Sequence, residues 1–258
     1  MIVDSPIVEL IRLSRSLGRP NQNLVILAEG NASARFDHDT FWVKASGTKM
    51  VDAFPSSFVQ MEFAPILAAL AKPEPTDLET RELLMSARAP GSVAMPSVET
   101  FMHAFLLSLP DVVFVGHTHP TSLLPLLCLE EVKTICKQRL FPDEVVCCGP
   151  ESAFVPYADP GLPLAKAIRT AVQDYVATWG ALPKTIWLQN HGLIAMGQSV
   201  EAIESATLMA AKAAEVWLRA LSSNRRLTPL SAAQVERIHT RPDEHYRQRL
   251  LWQIQHEV

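Results

Sequence analysis

The sequence has no apolar run long enough to cross a membrane. Residues 1–20 also lack the apolar centre of a secretory leader, because Asp4, Glu9 and several arginines interrupt them. There is no basic excess: 23 lysines and arginines face 27 acidic residues, a formal net charge of −4. That balance argues against nucleic-acid binding, which leaves a basic patch or stripe, so Arg225-Arg226 reads as solvated surface. The four cysteines, Cys128, Cys136, Cys147 and Cys148, show no C-x-x-C spacing. Reduced, mostly buried thiols in a cytoplasmic protein are expected. Also missing are a G-x-x-x-x-G-K-S/T loop, a G-x-G-x-x-G fingerprint, a G-x-S-x-G elbow and an H-E-x-x-H helix. Their absence sets aside the P-loop, dinucleotide-binding, α/β-hydrolase and helix-borne metalloprotease chemistries. No internal repeat, low-complexity tract or flexible linker divides the chain.

What is present is an ordinary soluble composition, 48% hydrophobic and 19% charged over 258 residues, enough for a substantial core. Apolar residues at helical spacing predict a helix over Pro6 to Leu17. Short strands are expected at Leu24 to Ala28 and Phe41 to Lys44, each followed by a small, polar, glycine-containing turn. Thr76 with Glu79 three residues on predicts a capped helix to Ala87. Ser97 reads as the N-cap of another, ending near Ser108 and placing Glu99 in its first turn. Strand-like segments follow at Val113 to Gly116, Phe154 to Tyr157, Thr185 to Leu188 and Leu193 to Met196, the last two paired through a short turn. Helices are expected from Leu162 to about Thr178 and from Ser199 to about Leu221. The interleaving predicts an α/β fold, three layers α/β/α around a central mixed or antiparallel sheet. We read residues 1–225 as one domain and residues 226–258 as a helical extension packed on it.

His117-Thr118-His119-Pro120 ends a β-branched run, and residues i and i+2 of an extended chain point to one side. His117 and His119 can therefore aim both imidazoles at one point. A lone pair of this kind is more often incidental than metal-binding, but His191 ends a second strand-like run, in Asn190-His191-Gly192. Three neutral imidazoles with an open fourth position suit Zn²⁺, with Mn²⁺ or another divalent ion also compatible. Glu99 is the candidate acid/base, against the plain alternative that a first-turn carboxylate serves the helix dipole. His103, one helical turn on, reads as packing or as a partner behind the site. Asn31, Ser33, Ser46, Gly47, Thr48, Lys49 and Ser97 lie at turns or helix starts where amide and hydroxyl donors converge, a candidate anion pocket. Lys44 adds a charge to it or faces solvent.

The ordered set Gly30-Asn31-Ala32-Ser33, Lys44-Ala45-Ser46-Gly47, Pro96-Ser97-Val98-Glu99-Thr100, His117-Thr118-His119-Pro120 and Asn190-His191-Gly192 resembles the class II aldolase/adducin family. The resemblance covers roughly residues 5 to 220. It implies a homotetramer with active sites at subunit interfaces and a divalent metal, usually zinc, on His117, His119 and His191. It implies Glu99 as general acid/base, and Asn31, Ser46, Gly47 and Ser97 around the phosphate of a small sugar or sugar-acid phosphate. The implied activity is aldolase-type carbon–carbon cleavage. Decarboxylation, dehydration or 4-epimerisation of a related substrate stays open, as does a non-catalytic adducin-like scaffold. Val98 stands where the family's aldolases often have a second serine, which removes one hydroxyl from the pocket. Family epimerases commonly carry aspartate where this chain has Glu99, which argues against epimerisation. Tyr157 and Tyr246 are the candidates for a catalytic tyrosine given to a neighbouring subunit.

Overall fold

The computed structural model describes residues 5–223 and 225–241. In chain order the elements are α1 (Pro6–Leu17), β1 (Asn31–Arg35), β2 (Thr40–Lys44), β3 (Phe58–Glu62), α2 (Phe63–Ala69), α3 (Asp77–Ser86) and α4 (Thr100–Leu107). They continue with β4 (Phe114–Thr118), α5 (Leu124–Leu127), α6 (Val132–Ile135), α7 (Pro142–Cys148), β5 (Ala153–Val155) and α8 (Leu162–Trp179). The last are β6 (Thr185–Leu188), β7 (Gly192–Gly197), α9 (Val200–Ser222) and α10 (Ala232–His239).

The seven strands form one sheet in the order β3-β2-β1-β4-β7-β6-β5. Every neighbouring pair is antiparallel except β5 with β6. One apolar cluster, including Phe41, Phe101, Leu106, Ile168 and Ile194, joins the sheet to α2, α4 and α8. A second, including Leu10, Leu13, Leu17, Ala32 and Ile203, joins the opposite face to α1 and α9. The expected three-layer α/β/α architecture is therefore present. Thr76 caps α3 with the reciprocal Glu79 bond, and Ser199 caps α9.

Two expectations are corrected. Leu24 to Ala28 forms no strand; the strand lies later, at β1, where a turn was expected. The reason is that β1 alternates small apolar residues on one face, Ala32 and Ala34, with buried polar residues Asn31 and Ser33 on the other. An apolar-in, polar-out pattern does not describe such a strand. The second concerns α4, which begins at Thr100, so Glu99 sits at the N-cap position and Ser97 two residues before it. The Ser97 carbonyl accepts from the Thr100 amide at 3.1 Å, making a separate turn ahead of the helix. β3 and α2 were not foreseen. Of the C-terminal extension, α10 packs on α7 through Val145, Val235 and Ile238; Tyr246 lies outside the described residues.

Candidate metal centre

The register of the sheet builds the site. Asn31 on β1 lies opposite His117 on the central strand β4, so both side chains face α4. Two residues along β1, Ser33 points the same way. Glu99, at the N-cap of α4, and His103 within it stand one turn apart, an axial rise of about 6 Å that matches the roughly 6.6 Å between alternate strand residues. The four side chains interlock accordingly. Asn31 Nδ2 donates to Glu99 Oε2 at 2.6 Å. A carboxylate only accepts, which fixes the amide orientation and turns Asn31 Oδ1 toward His103 Nε2, its hydrogen-bond partner. His103 Nε2 is then the donor, and Nδ1 accepts from the Ser33 hydroxyl at 2.6 Å. Burial keeps this ring neutral, its pKa pushed down to about 4.

His117, His119 and His191 bring their ligand nitrogens within 4.8 Å of one another. His117, fully buried on β4, directs Nδ1 to the Leu193 carbonyl at 3.0 Å. His119, just past the strand end, directs Nδ1 to Glu29 Oε2 at 3.2 Å. Both Nδ1 atoms therefore carry the proton, and both Nε2 atoms present lone pairs, 3.0 Å apart. Two lone pairs that close repel unless a proton or a cation lies between them. Burial pushes the His117 pKa down to about 3, and burial with the nearby His191 ring lowers that of His119. Neutral rings with converging Nε2 atoms fit a divalent ion.

His191 comes from the turn between β6 and β7. Asn190 holds the left-handed conformation there, at φ 54°. Gly192 follows because a Cβ at that position would stand 2.6 Å from both the Thr118 carbonyl and His119 Cδ2. Glu99 completes the group: Oε1 lies 3.2 Å from His191 Nε2 and 3.6 Å from His117 Nε2. Burial alone raises its carboxyl, but the hydrogen bonds from the His191 ring and the Asn31 amide outweigh burial. The carboxylate stays ionised, well below the usual range.

The expected anion-binding residues divide. Asn31 is committed to Glu99 and His103, leaving one amide hydrogen. Ser46 and Gly47 form an exposed turn held against the Ser97 segment, through an Ala45–Pro96 bridge and a Ser46 amide bond to the Met95 carbonyl at 2.9 Å. Ser97 Oγ accepts from the Glu99 amide at 3.3 Å, which ties this group to the carboxylate. Thr48 bonds the Ala45 carbonyl, Ser33 is buried beneath His103, and Lys49 is exposed. Lys44 does not face solvent: Nζ donates to the Thr48 carbonyl at 2.6 Å and the Ala28 carbonyl at 3.2 Å. Burial lowers its pKa to about 8, opposed by the charge of Glu99. Val98 is 43% exposed, and its Cγ2 would meet a Cβ at Gly161. The exposed Tyr157 gives its hydroxyl to Asp159 at 3.0 Å.

Fold and site together define a three-layer α/β protein with a histidine cluster fit for a divalent ion beside a buried, oriented carboxylate. Residues 8–218 match the model of the family described as Class II Aldolase and Adducin N-terminal domain, and the chain belongs to that family. A curated relative, the uncharacterized oxidoreductase YuxG of Bacillus subtilis, is 24% identical over 180 residues. That match takes in 70% of this chain but only 24% of the relative, so this chain spans about a quarter of its length. Among solved structures, an N-terminal class II aldolase domain from Thermoplasma acidophilum superposes with a TM-score of 0.66 at 25% identity, covering 85% of this chain and 96% of that one. An L-fuculose 1-phosphate aldolase superposes at 0.68 and 17% identity, over 93% and 96% of the two chains, a likeness of fold.

Proposed function

We propose that this protein is a metal-dependent carbon–carbon lyase of the aldolase type, acting on a small sugar or sugar-acid phosphate. The observation that carries the reading is the position of Glu99. One carboxylate oxygen faces the converging nitrogens of His117 and His191, while the other is pinned by Asn31. His117, His119 and His191 would hold Zn²⁺, which three imidazoles suit best, with Mn²⁺ or another divalent ion as the alternative occupant. When bound, such an ion supplies an electrophile that stabilises negative charge developing on substrate oxygen.

The chain's own residues do the rest. In the condensation direction Glu99 Oε1 withdraws a proton from the carbon beside a carbonyl; in cleavage it returns a proton to that carbon. Asn31 keeps Oε2 out of the reaction and fixes the plane of the carboxylate. The Ser46-Gly47 turn, Ser97 Oγ and the remaining Asn31 amide hydrogen offer donors to the anionic end of the substrate. By the same family reading the protein is a cytoplasmic homotetramer with sites shared between neighbouring subunits. Among the described residues no helix is long and apolar enough to cross a membrane.

The test joins metal analysis to a product screen with phosphorylated ketoses and 3-oxo acids, scored for released aldehyde against carbon dioxide. One divalent ion per subunit and aldehyde release are expected. Glu99→Gln keeps the ion and loses turnover by roughly 10²–10⁴-fold, the usual worth of a positioned acid/base. Stoichiometric metal surviving the loss of both His117 and His119 sinks the proposed site. Carbon dioxide without aldehyde replaces the aldolase reading with a decarboxylase.

A further inference from the structure

A second carboxylate besides Glu99, that of Glu29, touches the histidine cluster. Glu29 holds His119 Nδ1 with Oε2 at 3.2 Å and accepts the Ile26 amide with Oε1 at 2.6 Å. Its own amide returns a bond to the Ile26 carbonyl at 3.1 Å, closing the Ile26–Glu29 turn. Packing does not explain that turn. Ile26 is 64% exposed and Leu27 78%, and Leu27 occupies the left-handed region at φ 51°, which a residue with a Cβ disfavours. What holds the turn is polar and comes from the site: Glu29 on His119, Lys44 on the Ala28 carbonyl, and the His119 amide on the Leu24 carbonyl at 2.8 Å.

Two of the rings are backed unequally. His117 has a neutral carbonyl behind it, whereas His119 has a carboxylate. A carboxylate on Nδ1 fixes the tautomer and the ring orientation, and makes Nε2 the stronger donor toward a cation. Whatever tightens the hold of His119 on an ion also strengthens its bond to Glu29, and so the closure of the turn. By linkage the effect runs equally in the other direction.

We propose that Glu29 is a positioning residue for the metal centre, orienting His119 with one oxygen and clamping the Ile26–Glu29 turn with the other, so that ion binding and turn closure form one equilibrium. The inference rests on the reading of His117, His119 and His191 as ligands, and adds a residue and a coupling to it. Nothing in the local sequence pattern marks Glu29, because its partner lies ninety positions away.

The experiment uses the full chain and Zn²⁺ alone, so no substrate is needed. Zinc affinity is measured by competition with a chromophoric chelator for the wild type, Glu29→Ala and Glu29→Gln. Hydrogen exchange at residues 25–30 is followed with and without zinc. Glu29→Ala loses about 10–100-fold in affinity, the usual worth of such an outer partner. Glu29→Gln loses less, since its amide oxygen still accepts from Nδ1–H. Zinc slows exchange of the Ile26 and Glu29 amides in the wild type and not in Glu29→Ala. A Glu29→Ala affinity within twofold of the wild type, with unchanged thermal midpoint, removes Glu29 from the centre while leaving the histidines in place. Wild-type protein that binds no zinc, or binds it equally after loss of His117 and His119, takes down the ligand reading and this inference with it.

Discussion

At the scale of single residues, the site is a set of hydrogen-bond directions more than a set of distances. Asn31 faces Glu99 with its nitrogen, which forces its oxygen onto His103, which in turn makes Ser33 a donor. Each link sets the proton on the next, so the far end of the chain can be tested without touching the carboxylate. Ser33→Ala leaves the buried His103 Nδ1 without a partner and should cost about 1–3 kcal/mol in urea unfolding. It should leave zinc affinity unchanged, because neither Ser33 nor His103 is a ligand. A matching loss of zinc would show that the β1 network supports the ligands themselves. His117 and His119 were legible in the sequence because i, i+2 spacing in an extended chain needs no tertiary information. His103 was legible from its place one turn after Glu99. Glu29 was not, and neither was the burial of Lys44, because both depend on which distant carbonyl or ring folds against them.

At the scale of elements, the turn between β6 and β7 shows why an Asn-His-Gly sequence does this work. Asn190 tolerates the left-handed backbone, His191 projects into the cluster, and Gly192 lets the two other imidazoles pass over the strand. Gly192→Ala should reduce zinc affinity at least tenfold, because the added carbon collides with backbone at the Thr118 carbonyl as well as with the His119 ring. Chelator competition checks it. An affinity equal to wild type would mean that β4 and β7 can separate without disturbing the ligands. Elements that read clearly from the chain were α1 and α8, whose apolar residues recur at helical spacing, and α3 and α9, which carry side-chain caps at Thr76 and Ser199. The strand β1 did not read, since its inward face is polar for the sake of α4. The start of α4 was displaced because Ser97 closes a turn of its own before the helix begins.

At the scale of the whole molecule, burying neutral histidines makes the metal-free protein sensitive to acid. Unfolded chains protonate histidine below about pH 6.5, whereas burial delays protonation of folded His103 to about pH 4 and of His117 to about pH 3. Through that window the unfolded state binds more protons, so stability falls as pH falls, by on the order of a few kcal/mol. Urea unfolding of metal-free protein near pH 7 and near pH 5 should show this loss. His103→Gln should show a shallower one, since glutamine does not titrate. Equal slopes would remove His103 from the acid response.

The sheet order carries one more consequence, concerning the sequence of events during synthesis. β4 lies between β1, made early, and β7, made much later. As the chain leaves the ribosome, β4 can pair with β1 while its other edge waits for residues 192–197. Until then the strand bearing His117 is an unprotected edge, the kind that recruits foreign strands. The turn just ahead of that segment delivers His191. Closing that edge and completing the histidine cluster are therefore a single late step in the life of a new chain.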